Sequence, residues 1–236
     1  MNTWNFRGHS VITLGLLATA ILFAPLGNAT LLAPGATTGP PTQDFSSAIF
    51  AGATDAMLGP IAVTSNPVGS FTGSLEQWVL TDSVTGGLDF IYQVSDATTS
   101  SDGLLRLSTT NFTGFTTDVG YCSNAGGAFP CTDILAGAPA GSIAPSTIDR
   151  SVAGNVVGFN FAGAGVAPGA KSYDLVIKTN ATSFGLIGNT QVIDGGVFTT
   201  PTYAPTPEPG SVGLLLGGLF GAGLFVTRKF RAQRQS

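Results

Sequence analysis

The chain contains one histidine, His9, which lies close to its N-terminus. Beyond this residue it lacks the side chain that most often serves as a general base near neutral pH and that commonly ligates catalytic zinc. Ser-His-Asp catalysis, Cys-His catalysis and histidine-based zinc sites are therefore excluded for the rest of the chain. The remaining function classes depend on carboxylates, hydroxyls and amides.

Charged residues are also scarce, at 9% of the chain, and basic residues are scarcest in its middle. Between residues 30 and 206 there are twelve acidic residues and four basic ones, for a formal charge of −8. Those four are Arg106, Arg150, Lys171 and Lys178. A segment with this charge repels polyanions, so nucleic acid is excluded as its partner.

The first 29 residues have the pattern of a secretory signal peptide. Arg7 supplies a positive start, residues 11–24 form an apolar core, and Pro25 ends it. Small residues precede a cleavage point after Ala29. We therefore expect signal peptidase to cut there and the following residues to be exported.

The C-terminus has three consecutive features. Pro207, Glu208 and Pro209 come first, residues 210–226 are uncharged and apolar, and a basic tail fills 227–236. As a helix, the apolar stretch would span about 25 Å, which is within the usable range for a membrane. The tail has the charges of a stop-transfer segment, namely Arg228, Lys229, Arg231 and Arg234.

Together these features resemble the PEP-CTERM sorting signal of Gram-negative bacteria, over residues 207–236. Short phrases at 69–75, 87–94 and 175–182 are also similar to segments of PEP-CTERM cargo domains. The resemblance implies a transient stay in the inner membrane, processing by exosortase near Pro207, Glu208 and Pro209, and release to the cell surface or extracellular matrix. It also implies an association with exopolysaccharide and biofilm. An ordinary single-span anchor with a proline-rich linker is the alternative.

The chain has only two cysteines, Cys122 and Cys131. In an oxidising compartment such a pair indicates a disulfide, which at this short loop length contributes roughly 2–3 kcal/mol. The competing interpretation is a pair of thiols for metal or redox chemistry. The absence of a C-x-x-C spacing and of a further cysteine disfavours it.

The exported segment has the sequence pattern of an all-β protein. Residues 30–43 are rich in Pro, Thr and Gly and predict a flexible leader, and residues 201–206 predict a linker. Between them, residues 44–200 show short β-branched or aromatic runs separated by turn residues, which predicts a single β-sandwich. A jelly roll is one candidate topology. The clearest strands are predicted at 76–80, 88–94, 104–108, 156–161, 172–178 and 191–198.

Calcium is the one cofactor that the sequence suggests, because loop carboxylates in an exported chain suit a hard cation. The candidate pairs are Asp96 with Asp102 and Asp118 with Asp133. None has the regular spacing of a calcium loop, so solvated carboxylates are the alternative. A calcium- or carbohydrate-binding lectin-like module is accordingly the second function class.

Two further interpretations depend on carboxylates or on aromatic residues. A glycoside hydrolase would need Glu76 to face Asp82 or Asp89, and acids in glycine-rich loops are more often turn formers. A sugar-binding platform could use the aromatic rings of Phe112, Phe115, Tyr121 and Trp78, although a sandwich tryptophan more often lies in the core. We expect a structural or adhesive matrix protein and no enzyme.

Overall fold

A computed structural model describes residues 30–39, 54–66, 70–122 and 141–207. These residues form an all-β fold of two antiparallel six-stranded sheets. The strands are β1 (Thr30–Leu31), β2 (Thr37–Thr38), β3 (Thr54–Thr64), β4 (Thr72–Thr81), β5 (Leu88–Asp96), β6 (Arg106–Thr109), β7 (Thr117–Cys122), β8 (Thr147–Arg150), β9 (Val157–Asn160), β10 (Asp174–Thr179), β11 (Phe184–Asp194) and β12 (Gly196–Pro205). Over the same residues the structure contains no helix able to cross a membrane.

The two sheets pack face to face. The first has the order β1-β7-β10-β5-β4-β3 and the second the order β12-β11-β6-β9-β8-β2. One buried apolar cluster draws on both, with Phe90, Tyr92 and Leu175 from the first sheet and Leu107 and Phe159 from the second. The predicted β-sandwich is thus confirmed at the level of two packed antiparallel sheets, and the jelly-roll topology stays a prediction.

Period-two alternation locates the buried faces correctly. Val157, Phe159 and Phe161 enter the core while Asn160 faces away, and Leu175 and Ile177 share the inner face of β10. Because successive side chains of a strand point to opposite faces, this pattern directly reports which side meets the other sheet.

The predicted strand at 191–198 is wrong. The chain turns at Gly195, where φ is +59°, so β11 ends at Asp194 and β12 begins at Gly196. Such a positive φ is readily adopted only by glycine. The predicted linker at 201–206 is also wrong, because β12 continues to Pro205 and pairs there with β11.

The predicted leader at 30–43 is also wrong over its described part, residues 30–39. β1 pairs with β7 and β2 pairs with β8. Between them Leu32 is buried in the core, and its carbonyl oxygen accepts a hydrogen bond from the guanidinium of Arg150. Partners distant in sequence therefore order a segment whose own composition predicts flexibility.

Besides β1 and β2, three further strands were not among those predicted from the sequence: β3, β7 and β8. β3 contains Asp55, Gly59 and Pro60, which argue against a strand in a sheet interior. It lies at the sheet edge, and its pairing with β4 shifts register between Leu58 and Ile61, where an irregular edge strand tolerates proline.

Candidate functional site

A concave pocket of about 220 Å³ lies at one end of the first sheet. Three segments form it: the β4–β5 turn, the start of β7, and the end of β10 with the residues that follow. Its lining consists of Thr85, Gly86, Gly87, Thr116, Asp118, Lys178, Thr179, Asn180 and Thr182. These residues are polar or glycine, with one acidic and one basic side chain, although carbon atoms make up most of the surface that faces the cavity.

The β4–β5 turn is fixed by Asp82. Its carboxylate accepts hydrogen bonds from the backbone N–H of Val84 (2.7 Å) and the hydroxyl of Thr85 (2.7 Å). After the turn, a Cβ atom at Gly87 would lie 2.1 Å from the carbonyl oxygen of Thr179. Only glycine permits this approach, so the turn is held firmly against the end of β10.

Lys178 is the electrostatic centre of the pocket. It is directly opposite Asp118 on β7 and Asp89 on β5, and its ammonium lies 2.9 Å from the carboxylate of Asp82. Burial works to raise the pKa of Asp82, but hydrogen bonds from Lys178, Thr85 and Val84 outweigh it and lower that pKa. Asp82 is thus the acid that neutralises the lysine.

Asp89, unlike Asp82, has no hydrogen bonds that offset its burial. It is fully buried, and neither carboxylate oxygen has a hydrogen-bond partner. Burial raises its pKa to about 8, despite the attraction of Lys178. Burial also raises the pKa of the half-buried Asp118, again opposed by Lys178. Around neutral pH, Asp89 therefore retains its proton.

Two side chains of the pocket, Asn180 and Asp118, have polar atoms that are available to hydrogen-bond a ligand. The Asn180 side-chain oxygen accepts a bond from the Thr116 N–H (3.0 Å). Within the part of the chain that the structure describes, the Asn180 amide nitrogen and the Asp118 carboxylate form no hydrogen bond. The pocket therefore offers one donor directly after the end of β10 and one strong acceptor on β7.

The predicted calcium pairs have different outcomes. Asp96 and Asp102 lie close enough to interact electrostatically, and the structure adds Asp194, which the sequence analysis did not single out. Asp118 lies in the pocket beside Lys178, and Asp133 lies outside the described residues. In the described ranges no group of three His, Cys, Asp or Glu side chains could hold a metal ion.

The carboxylate pair of the hydrolase hypothesis is not formed by Glu76 and Asp89. Both lie on the outer face of the first sheet, but their rows are about 13 Å apart along the strands. The paired side chains of Trp78 and Ile91 lie between them. Asp82 is committed to its turn and to Lys178.

The aromatic platform is not formed either. Phe112 is fully buried and packs edge-to-face on Phe90, with ring centroids 5.7 Å apart. Trp78 is buried, Phe115 packs against the core, and Tyr121 stacks on Tyr173 at 5.3 Å. These rings are used in packing.

The processing and disulfide predictions fall largely outside the described residues. Pro207 is described and exposed, two residues after the end of β12. Ala29, Glu208, Pro209, the 210–226 stretch and the basic residues Arg228, Lys229, Arg231 and Arg234 are not described. Cys122 lies buried at the end of β7, and Cys131 lies outside the described ranges, so their disulfide stays a prediction.

Comparison of the chain with protein-family models, with curated proteins and with solved structures finds no match.

Proposed function

We propose that the chain is an exported, C-terminally sorted protein of a Gram-negative bacterium whose β-sandwich is a structural or adhesive module of an exopolysaccharide matrix. The observation that carries this proposal is the agreement between the fold and the predicted mature segment. β1 begins at Thr30, directly after the predicted signal cleavage, and β12 ends at Pro205, just before the Pro207 motif. The twelve described strands therefore all lie between the two predicted processing points.

The proposed route has two steps. Signal peptidase releases the N-terminus at Ala29 while the apolar 210–226 stretch holds the chain in the inner membrane. Exosortase then processes the chain near Pro207, Glu208 and Pro209 and frees the domain. β12 is the last described strand, so processing near Pro207 would leave all twelve described strands in place.

The pocket favours carbohydrate binding as the basis of adhesion. Sugar hydroxyls both donate and accept hydrogen bonds, and the pocket presents the Asp118 carboxylate beside the Asn180 amide and threonine hydroxyls. Asp118 lies on β7, and Asn180 directly follows β10 and accepts a hydrogen bond from the Thr116 N–H, so little ordering of these two groups is needed on binding. The proposed module binds saccharide and does not cleave it.

The test measures binding of a panel of soluble neutral and uronic-acid polysaccharides by isothermal titration calorimetry. Asp118→Asn and Asn180→Ala should weaken binding by about tenfold each, since each removes one directional hydrogen bond. Glu76→Gln is the matched control, because it changes a carboxylate of the same sheet away from the pocket. A reducing-end assay on the same samples should show no hydrolysis.

Binding that is unaffected by the two pocket variants would show that saccharide binds elsewhere. Hydrolysis that Glu76→Gln abolishes would contradict the non-enzymatic role.

A further inference from the structure

The Asp118 carboxylate of the pocket has no positively charged partner bonded to it. Strand register sets it directly opposite Lys178, but the Lys178 ammonium lies 2.9 Å from the carboxylate of Asp82. Within the described ranges the ion pairs are this one and Arg106 with Asp149, so none includes Asp118. The basic side chain of the pocket is thus neutralised by Asp82, and the charge of Asp118 is left over.

The Asn180 amide lies at a fixed position relative to this carboxylate. Its oxygen accepts a hydrogen bond from the N–H of Thr116, which precedes Asp118 by two residues. Two residues of extended chain span roughly 7 Å and leave their side chains on the same face. A single sugar residue, whose ring substituents point outward on all sides, can therefore contact both groups at once.

The rest of the pocket suits the ring of a sugar. The cavity measures about 220 Å³, and carbon atoms make up most of the surface that faces it. A Cβ atom at Gly86 would meet no other atom within 4 Å, so this part of the β4–β5 turn leaves open space. Ligand sites commonly combine such carbon surface with a few placed polar groups. The C–H groups of a sugar can pack there while its polar substituents reach Asp118 and Asn180.

Charge distinguishes between classes of sugar at this site. A uronic acid would bring a second carboxylate beside Asp118, which repels it. A protonated amino group would instead neutralise Asp118 through charge-assisted hydrogen bonds. Burial raises the pKa of Asp118, which shows that its carboxylate is partly desolvated and gains from a nearby cation. The formal charge of −8 on residues 30–206 adds a longer-range attraction for cationic ligands.

We propose that the pocket binds an amino sugar with a free, protonated amino group, such as a de-N-acetylated hexosamine of a polysaccharide. The ammonium lies against the Asp118 carboxylate, and the Asn180 amide nitrogen donates a hydrogen bond to a sugar hydroxyl. This inference rests on the proposed saccharide-binding function and names the class of saccharide. N-acetylated sugars and uronic acids bind the same pocket more weakly.

The test compares three soluble oligosaccharides by isothermal titration calorimetry, with the full-length protein in detergent. They are a glucosamine oligomer, its fully N-acetylated counterpart and a galacturonic acid oligomer of the same length. At about pH 6 an aliphatic amine is protonated. We expect the glucosamine oligomer to bind about tenfold more tightly than the N-acetylated one, and the galacturonic acid oligomer to bind most weakly. This comparison uses the parent protein and does not depend on the folding of a variant.

Three variants assign the preference to a residue. Asp118→Asn should reduce the ratio of the two dissociation constants, N-acetylated over free amine, to about one, because the new side chain carries no charge. Asn180→Ala should weaken both oligomers alike and leave the ratio unchanged. Glu76→Gln removes one charge from the same sheet away from the pocket and should also leave it unchanged. It controls for general attraction of a cationic sugar to an acidic protein.

The outcomes separate this inference from the function on which it rests. Equal binding of the glucosamine and N-acetylglucosamine oligomers to the parent would overturn the amino-sugar assignment and leave saccharide binding in place. A preference that Asp118→Asn retains would also overturn it, since charge elsewhere would then be responsible. Absence of binding to these oligomers and to every polysaccharide of the panel above would overturn the saccharide-binding function itself.

Discussion

The hydroxyl of Thr206 lies 2.8 Å from the hydroxyl of Ser183, and its N–H donates to the Ser183 carbonyl oxygen. This contact holds the chain to the sandwich until the residue before Pro207. The predicted processing motif therefore begins where the domain ends, without an intervening linker. An enzyme acting at the predicted motif would meet a folded strand pair directly before it.

Residues 201–207 should be needed for the domain to fold. A chain of residues 30–207 should fold and unfold cooperatively, whereas one ending at residue 200 should not. The shorter chain loses Thr202, whose hydroxyl bonds Thr190, and Tyr203, whose backbone bonds Gln77. Near-UV circular dichroism with thermal melting distinguishes the two. Equal melting temperatures would contradict the assignment of residues 201–205 to β12.

Arg150 is predicted to be a principal stabilising residue. Its buried guanidinium donates to the carbonyl oxygens of Leu32, Phe112, Phe115 and Gly154, at 2.8 to 3.1 Å. Arg150→Met leaves these carbonyls without their donor and should lower the free energy of unfolding by roughly 3 kcal/mol.

Urea denaturation measures this loss. Lys171→Met is the matched control, because Lys171 forms no ion pair within the described residues, and it should change stability by about 0.5 kcal/mol or less. Similar changes in the free energy of unfolding for the two substitutions would show that Arg150 is not a principal stabilising residue.

Much of the central architecture follows from the sequence. The alternation in β9 and β10 identifies their inner faces, and β4 and β5 occur where β-branched and aromatic residues concentrate. These strands show a clear apolar pattern in the sequence because the other sheet buries one face of each. The glycine turn at 85–87 is predictable for the same local reason.

The sites could not be predicted because they depend on contacts between distant segments. Asp194 joins Asp96 only because β11 and β5 end at the same edge of the sandwich. The pocket depends on the register that sets Lys178 opposite both Asp89 and Asp118. The spacing of these residues in the sequence predicts neither arrangement. The pairing of β1 with β7 also joins segments that are far apart in the sequence.

Asp89 should make stability depend on pH. Its pKa in the folded protein, about 8, lies above its ordinary value of 3.8, so the folded state retains a proton that the unfolded chain has lost. The free energy of unfolding should therefore fall as pH rises from about 4 to 8. Asp89→Asn, which stays neutral, should lack this decrease and be the more stable protein at pH 8.

Urea midpoints across that range test the prediction, with Asp149→Asn as the opposite case. The hydrogen bond from Arg106 lowers the pKa of Asp149, so its stabilisation is present above pH 4 and is lost in acid. Asp149→Asn should destabilise at neutral pH by about 1 kcal/mol, because the pair is partly solvated. Parallel pH profiles for the parent and Asp89→Asn would contradict the assignment.

Gln77 is predicted to join the two sheets. Its amide donates to the Tyr203 carbonyl oxygen (2.7 Å) and accepts from the Tyr203 N–H (2.8 Å), inside the core. Gln77→Leu should cost roughly 2–4 kcal/mol, because it leaves both backbone groups without a partner. Gln191→Leu, the same change on β11, should cost little. A cost for Gln77→Leu no greater than that control would show that the contact is dispensable.

The central claim is that this chain is exported and processed at both ends, and the intact mass of the mature protein from native cells tests it most directly. Cells are separated into membrane and medium fractions before mass spectrometry. The account predicts a released product that begins at Thr30, ends near Pro207 and lacks two hydrogens for the disulfide of Cys122 and Cys131. Full-length protein confined to the inner membrane would contradict it.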